Sequence, residues 1–135
     1  MKLISTTSNK NYRIIPALLW SGIIFFLCFL PGSALPKEDW LDKIYFDKIV
    51  HAGLYFILFL LIVRIFETKT KSALIIASLL CIAQGILIEF VQGSSLIDHR
   101  SFDIYDIIAN VVGVLIAIGI LSGFKNWNFL RILLD

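Results

Sequence analysis

Residues 104–121 read IYDIIANVVGVLIAIGIL, an apolar run broken on its first two turns by Asp106 and Asn110. As an α-helix rising 1.5 Å per residue, it would be about 27 Å long, close to the ~30 Å thickness of a bilayer's hydrocarbon core. Three more stretches of this kind precede it: ALIIASLLCIAQGILIEFV at 73–91, IVHAGLYFILFLLIVRIF at 49–66 and IIPALLWSGIIFFLCFLPGSAL at 14–35. Each is near the ~20 residues that a spanning helix needs. Short loops between them carry nearly all the charge, and such connections favour antiparallel neighbours. The expected fold is all-α, an integral membrane antiparallel bundle of four transmembrane helices, forming one domain over residues 1–135.

Composition supports this reading. Of 135 residues, 59% are hydrophobic, and the mean hydropathy is +0.88. Soluble domains average about 45–50% apolar residues, so the excess here needs lipid to cover it. The net charge of +2 and the absence of Lys/Arg blocks argue against a nucleic-acid partner. Cys28 and Cys81 both sit inside apolar runs, with neither the loop placement of a disulfide framework nor the close spacing of a zinc motif. Two buried free thiols are expected. No spacing pattern assigns metal ligands, a cofactor or an oligomeric state.

The first stretch shares features with a signal peptide: a basic start at Lys2, Lys10 and Arg13, and small residues at Gly32, Ser33 and Ala34. Its apolar run exceeds the ~7–15 residues of such segments, so a retained helix is expected. Lys2, Lys10, Arg13, Arg64, Lys69, Lys71, Lys125 and Arg131 fall on one side of the bundle, and Lys37, Lys43, Lys48 and Arg100 on the other. The richer side should face the cytoplasm. That predicts a multi-pass protein of the plasma (inner) membrane with both termini cytoplasmic. Residues 124–135 mix aromatic, aliphatic and basic residues, as a short interfacial helix or a frayed end would.

Ionisable residues in membrane segments cost ~2.5–3.5 kcal/mol each at mid-bilayer on insertion scales, so their positions carry information. Asp47, Lys48 and His51 open the second stretch, and Tyr55 lies on the face of His51 four residues on. Glu89 and Gln92 close the third. Arg100, Asp103, Asp106 and Asn110 lead into the fourth. In an antiparallel bundle these three ends meet at one mouth. At ~100° per residue, Asp103, Asp106 and Asn110 share an arc of about 60°, which Gly113 and Ala117 continue. Ala77, Cys81 and Gly85 make a small-residue stripe leading to Glu89 and Gln92. Small residues let helices approach closely in lipid, so both stripes should face the bundle interior. Arg100 is the expected counter-ion for Glu89 or an aspartate. Taken singly, Asp103 could cap a helix, Lys48 could snorkel, His51 could be a hydrogen-bonded structural histidine, and Asn110 could be interhelical glue. Together they describe a functional cluster.

The spacings Asp47-Lys48-x-x-His51-x-x-x-Tyr55, Glu89-x-x-Gln92 and Arg100-x-x-Asp103-x-x-Asp106-x-x-x-Asn110-x-x-Gly113 resemble those of the VanZ-like family, over about residues 14–121. The resemblance implies a four-helix bacterial envelope protein. The family's namesake is associated with low-level resistance to teicoplanin and related lipoglycopeptides. Ile97, Asp98 and His99 stand where relatives often have a proline, so the loop before Arg100 departs from the pattern. Three functions follow as expectations. An outward polar pocket could bind a lipid-linked or amphiphilic ligand such as a lipoglycopeptide. The carboxylates and histidine could act on lipid head groups as acid, base or cation ligands. An ion or proton pathway is the third, although the inner halves of the stretches show no comparable charges.

Overall fold

The computed structural model describes residues 6–31, 45–66, 70–94, 96–97 and 100–123. They form four α-helices: α1 (Thr6–Cys28), α2 (Phe46–Ile65), α3 (Lys71–Gln92) and α4 (Ile104–Gly123). No strand occurs among the described residues. The helices α2, α3 and α4 are each long and apolar enough to cross a membrane, and the apolar part of α1 runs over Tyr12–Cys28. The possible interfacial tail at 124–135, and the small residues at 32–34, lie outside the described residues.

Three of the expected spans match their helices to within three residues at either end. The first does not. Its helix begins at Thr6 rather than Ile14 and stops at Cys28 rather than Leu35. Hydrophobic pattern marks the buried part of a helix, so the polar first turns of α1 were invisible to it. The early stop has a local cause in Pro31. Proline disfavours helical geometry in the residue before it and cannot donate the next backbone hydrogen bond. A final turn, Phe29 N–H to the Phe25 carbonyl at 3.0 Å, closes the helix just before it.

Other ends follow equally local chemistry. Thr70 caps α3, its hydroxyl accepting the Ala73 N–H at 3.2 Å. Tyr45 leads into α2 in the left-handed region (φ 51°), and its carbonyl accepts the Lys48 N–H at 3.0 Å. That conformation is uncommon for a residue other than glycine.

The chain alternates direction. Near its start α1 meets the end of α2, where Arg13 Nη1 donates to the Arg64 carbonyl at 3.5 Å. At its end it meets the end of α3, where Gln92 Nε2 donates to the Cys28 carbonyl at 2.8 Å. Trp20 Nε1 to the Leu54 carbonyl (2.9 Å) and Ser21 Oγ to Gln84 Oε1 (2.8 Å) tie its middle to α2 and α3. Consequently the end of α1, the start of α2, the end of α3 and the start of α4 share one mouth.

The centre of the bundle is packed by shape. Bulky Tyr55, Leu58, Phe59 and Val63 of α2 share one buried cluster with the small Ala77 and Cys81 of α3 and Ala117 of α4. At Gly113 a β-carbon would run into the carbonyl of Ala52, so α2 and α4 lie closer there than any side chain allows. Both cysteines are buried and unpaired, as expected. The exterior is the reverse of a soluble protein's. Leu18, Leu79, Phe90 and Leu115 are 60% exposed or more, whereas Glu89 is fully buried. An exposed apolar coat around buried polar groups is what a bilayer solvates.

Candidate functional site

The mouth gathers seven of the ten candidate residues into one connected cluster. Lys48, near the start of α2, is its hub. Its Nζ lies 2.7 Å from Asp47 Oδ2, 2.5 Å from Asp103 Oδ2 and 2.5 Å from Asp106 Oδ1. One turn deeper, His51 Nε2 lies 3.6 Å from Asp106 Oδ2, and its Nδ1 pairs with Asn110 Oδ1 at 3.1 Å. Glu89 enters from α3, where its Oε2 accepts the backbone N–H of Asp103 at 3.0 Å.

These contacts follow from helical spacing. Lys48 and His51 are three residues apart, as are Asp103 and Asp106, so each pair stacks on one face and the α2 pair meets the α4 pair. Asp103 also caps α4, its Oδ1 accepting the Tyr105 N–H at 2.8 Å. It therefore serves both as a cap and as a partner of Lys48. The Lys48 ammonium beside it holds its carboxyl below the usual carboxylate range.

Side-chain exposure falls from the surface inward. It is 60% at Asp47, 35% at Asp103, 22% at Lys48 and 12% at Asp106, and Glu89 at the end of the series is fully buried. The cluster is open on its outer side and sealed beneath by apolar packing.

The other three candidates sit at its border. The hydroxyl of Tyr55 lies beside Gly85 on the face shared with Asn110, and it has no hydrogen-bond partner. Gln92 is spent on the Cys28 carbonyl. Arg100 does not take the expected counter-ion role, since among the described residues it forms no ion pair and its Nε donates to the Leu30 carbonyl at 3.2 Å. The physical reason lies in α1. The helix stops at Cys28, and the carbonyls of Cys28 and Leu30 at that end accept from Gln92 and Arg100. These two backbone oxygens were missed in the sequence, where Pro31 was the available signal. Asp98 and His99, in the departure from the family pattern, lie outside the described residues.

Two triads of ligand-type atoms occur in the cluster. The outer one, Asp47, Asp103 and Asp106, already surrounds the Lys48 ammonium. The inner one brings His51, Glu89 and Asp106 together, with one donor atom from each within 4.8 Å of the others.

A helical bundle coated with apolar side chains and carrying an ionisable cluster at one mouth defines a membrane protein with a polar site at its rim. The chain matches the family model described as VanZ/LLP1 over residues 3–126, and it belongs to that family. It is 34% identical over 94 residues to an uncharacterised protein of Schizosaccharomyces pombe, a match covering 69% of this chain and 52% of the relative. The chain thus spans about half the length of that relative. No solved structure matches it.

Proposed function

We propose that this VanZ-like protein binds the polar head of a lipid-linked or amphiphilic molecule at the mouth of its bundle, and that it thereby modulates susceptibility to teicoplanin and related lipoglycopeptides in a bacterial envelope. The observation that carries the reading is the convergence of Lys48, His51, Glu89, Asp103 and Asp106 from three helices, graded from exposed to fully buried. Structural ion pairs alone do not require that gradient. It does suit an amphiphile, whose tail lies along the apolar coat while its head reaches donors and acceptors at the rim. The excess of Lys and Arg on the opposite side supports a mouth on the outer face and cytoplasmic termini.

The test is a deletion strain complemented with wild type or with Glu89→Ala, Arg100→Ala or Asp106→Ala, challenged with a panel of glycopeptides and lipoglycopeptides. Deletion should shift teicoplanin susceptibility, wild type should restore it, and the three variants should fail at equal expression. Equal susceptibility across all of these strains would sink the proposal.

A second reading has its own observation. His51 Nε2 faces Asp106 Oδ2 at 3.6 Å with Glu89 close by, a set that could move protons during chemistry on a lipid head group. Turnover of labelled phospholipid or lipid-linked sugar by purified protein, abolished by His51→Asn, separates this enzyme from a binding protein.

A further inference from the structure

We propose that His51, Glu89 and Asp106 form a binding site for one divalent transition-metal ion of the zinc or manganese kind. The three residues come from α2, α3 and α4, and each offers a donor atom within 4.8 Å of the other two. All three are at least nine-tenths buried.

The orphaned oxygen of Glu89 is an independent indication. Glu89 is fully buried, its Oε2 accepts the Asp103 N–H, and its Oε1 has no hydrogen-bond partner among the described residues. A buried carboxylate oxygen without a donor loses its hydration and gains nothing in return. A cation between Glu89, His51 and Asp106 would answer it.

The imidazole is set up in the same sense. His51 Nδ1 pairs with the Asn110 side-chain oxygen, which leaves Nε2 directed at Asp106 Oδ2. Nε2 and Oδ2 lie 3.6 Å apart. The same separation suits two ligands of one ion, because arms of ~2.1 Å in a tetrahedron put donors about 3.4 Å apart. A metal-bound histidine characteristically donates its second nitrogen to an oxygen acceptor, and Asn110 is such an acceptor.

Charge distinguishes the inner triad from the outer. Lys48 is one cation in contact with three carboxyl groups, Asp47, Asp103 and Asp106 through Oδ1, while Asp106 Oδ2 faces His51. The inner set shares that ammonium only through Asp106, so a single lysine faces the four carboxyl groups gathered at the mouth. One nitrogen and two oxygens favour zinc or manganese over magnesium or calcium, which bind oxygen almost exclusively. Three protein donors leave a coordination position for water or for a head-group oxygen. Only that last link rests on the proposed binding function.

The experiment uses full-length protein in phosphatidylcholine nanodiscs, stripped with chelator and titrated with zinc or manganese chloride alone, with bound metal measured after dialysis. A single equivalent is expected. Glu89→Gln and His51→Asn should each weaken it by more than the ~10–100-fold typical of losing an outer partner. Asp47→Asn, which touches only the outer triad, should leave it unchanged. A second measurement leaves the site intact: zinc-edge X-ray absorption on His99→Gln protein, whose remaining histidine is His51, should show one imidazole, oxygen neighbours and no sulfur. No retained metal, a spectrum without imidazole, or equal loss in Asp47→Asn would overturn the site. Amphiphile binding that persists in chelator without metal retention defeats this inference and spares the proposed function. Metal retention with no effect on lipoglycopeptide susceptibility does the reverse.

Discussion

Gly113→Ala probes the closest approach in the bundle. An added methyl at Gly113 would overlap the Ala52 carbonyl oxygen and come within 3.0 Å of the Ala52 Cα. Carbon atoms pack best at ~3.5–4.0 Å. The obstacle is backbone and cannot rotate aside, so α2 and α4 must separate by roughly half an ångström or more. Overpacking of this type costs ~1–3 kcal/mol. Alanine's better helix propensity returns up to about 1 kcal/mol. The net loss should be ~1–2 kcal/mol, a 5–30-fold fall in the folded-to-unfolded ratio. Two other glycines calibrate the reading. A methyl at Gly85 meets only the Asn110 and Tyr55 side chains, which can shift, and one at Gly119 meets nothing within 4 Å. Reversible unfolding in mixed micelles, followed by circular dichroism, should rank Gly119→Ala at or above wild type, Gly85→Ala below it and Gly113→Ala lowest. The reasoning fails if Gly113→Ala is as stable as Gly119→Ala.

Lys48→Met leaves Asp103 and Asp106 without their shared cation, and a double-mutant cycle with Asp106→Asn should give a coupling of about 1–3 kcal/mol in the same unfolding assay. Asp103 is held below its unfolded pKa of ~3.9 by Lys48, so its ionisation contributes stability that is complete above about pH 4 and is lost as pH falls through the folded value. Asp103→Asn should therefore flatten the part of the pH–stability curve below pH ~4 that this residue controls. Trp20→Phe removes the indole donor to the Leu54 carbonyl and should cost about 0.6 kcal/mol, the average for hydrogen bonds between membrane helices, and no more than about 1.7 kcal/mol.

Much of this architecture was legible in the residues. Apolar length located α2, α3 and α4, because lipid demands both hydrophobicity and span. The stripe Ala77, Cys81, Gly85 and the phase of Asp106 and Asn110 pointed inward for the same reason. Charge pairing was less legible. Arg100 and Lys48 were both cations at the right mouth, and only packing shows that Lys48 meets Asp103 and Asp106 while Arg100 turns to α1. The meeting of His51, Glu89 and Asp106 joins positions far apart in sequence on three helices. No local spacing encodes it.

The early stop at Pro31 also shapes the lipid around the molecule. The apolar part of α1, Tyr12–Cys28, is 17 residues long and rises about 26 Å, a few ångströms short of the hydrocarbon slab. A wall this short is matched by a dimple in the adjoining leaflet or by flanking polar side chains reaching outward. Arg13, stacked 5.9 Å from the ring centre of Tyr12, is placed to reach out at the far end.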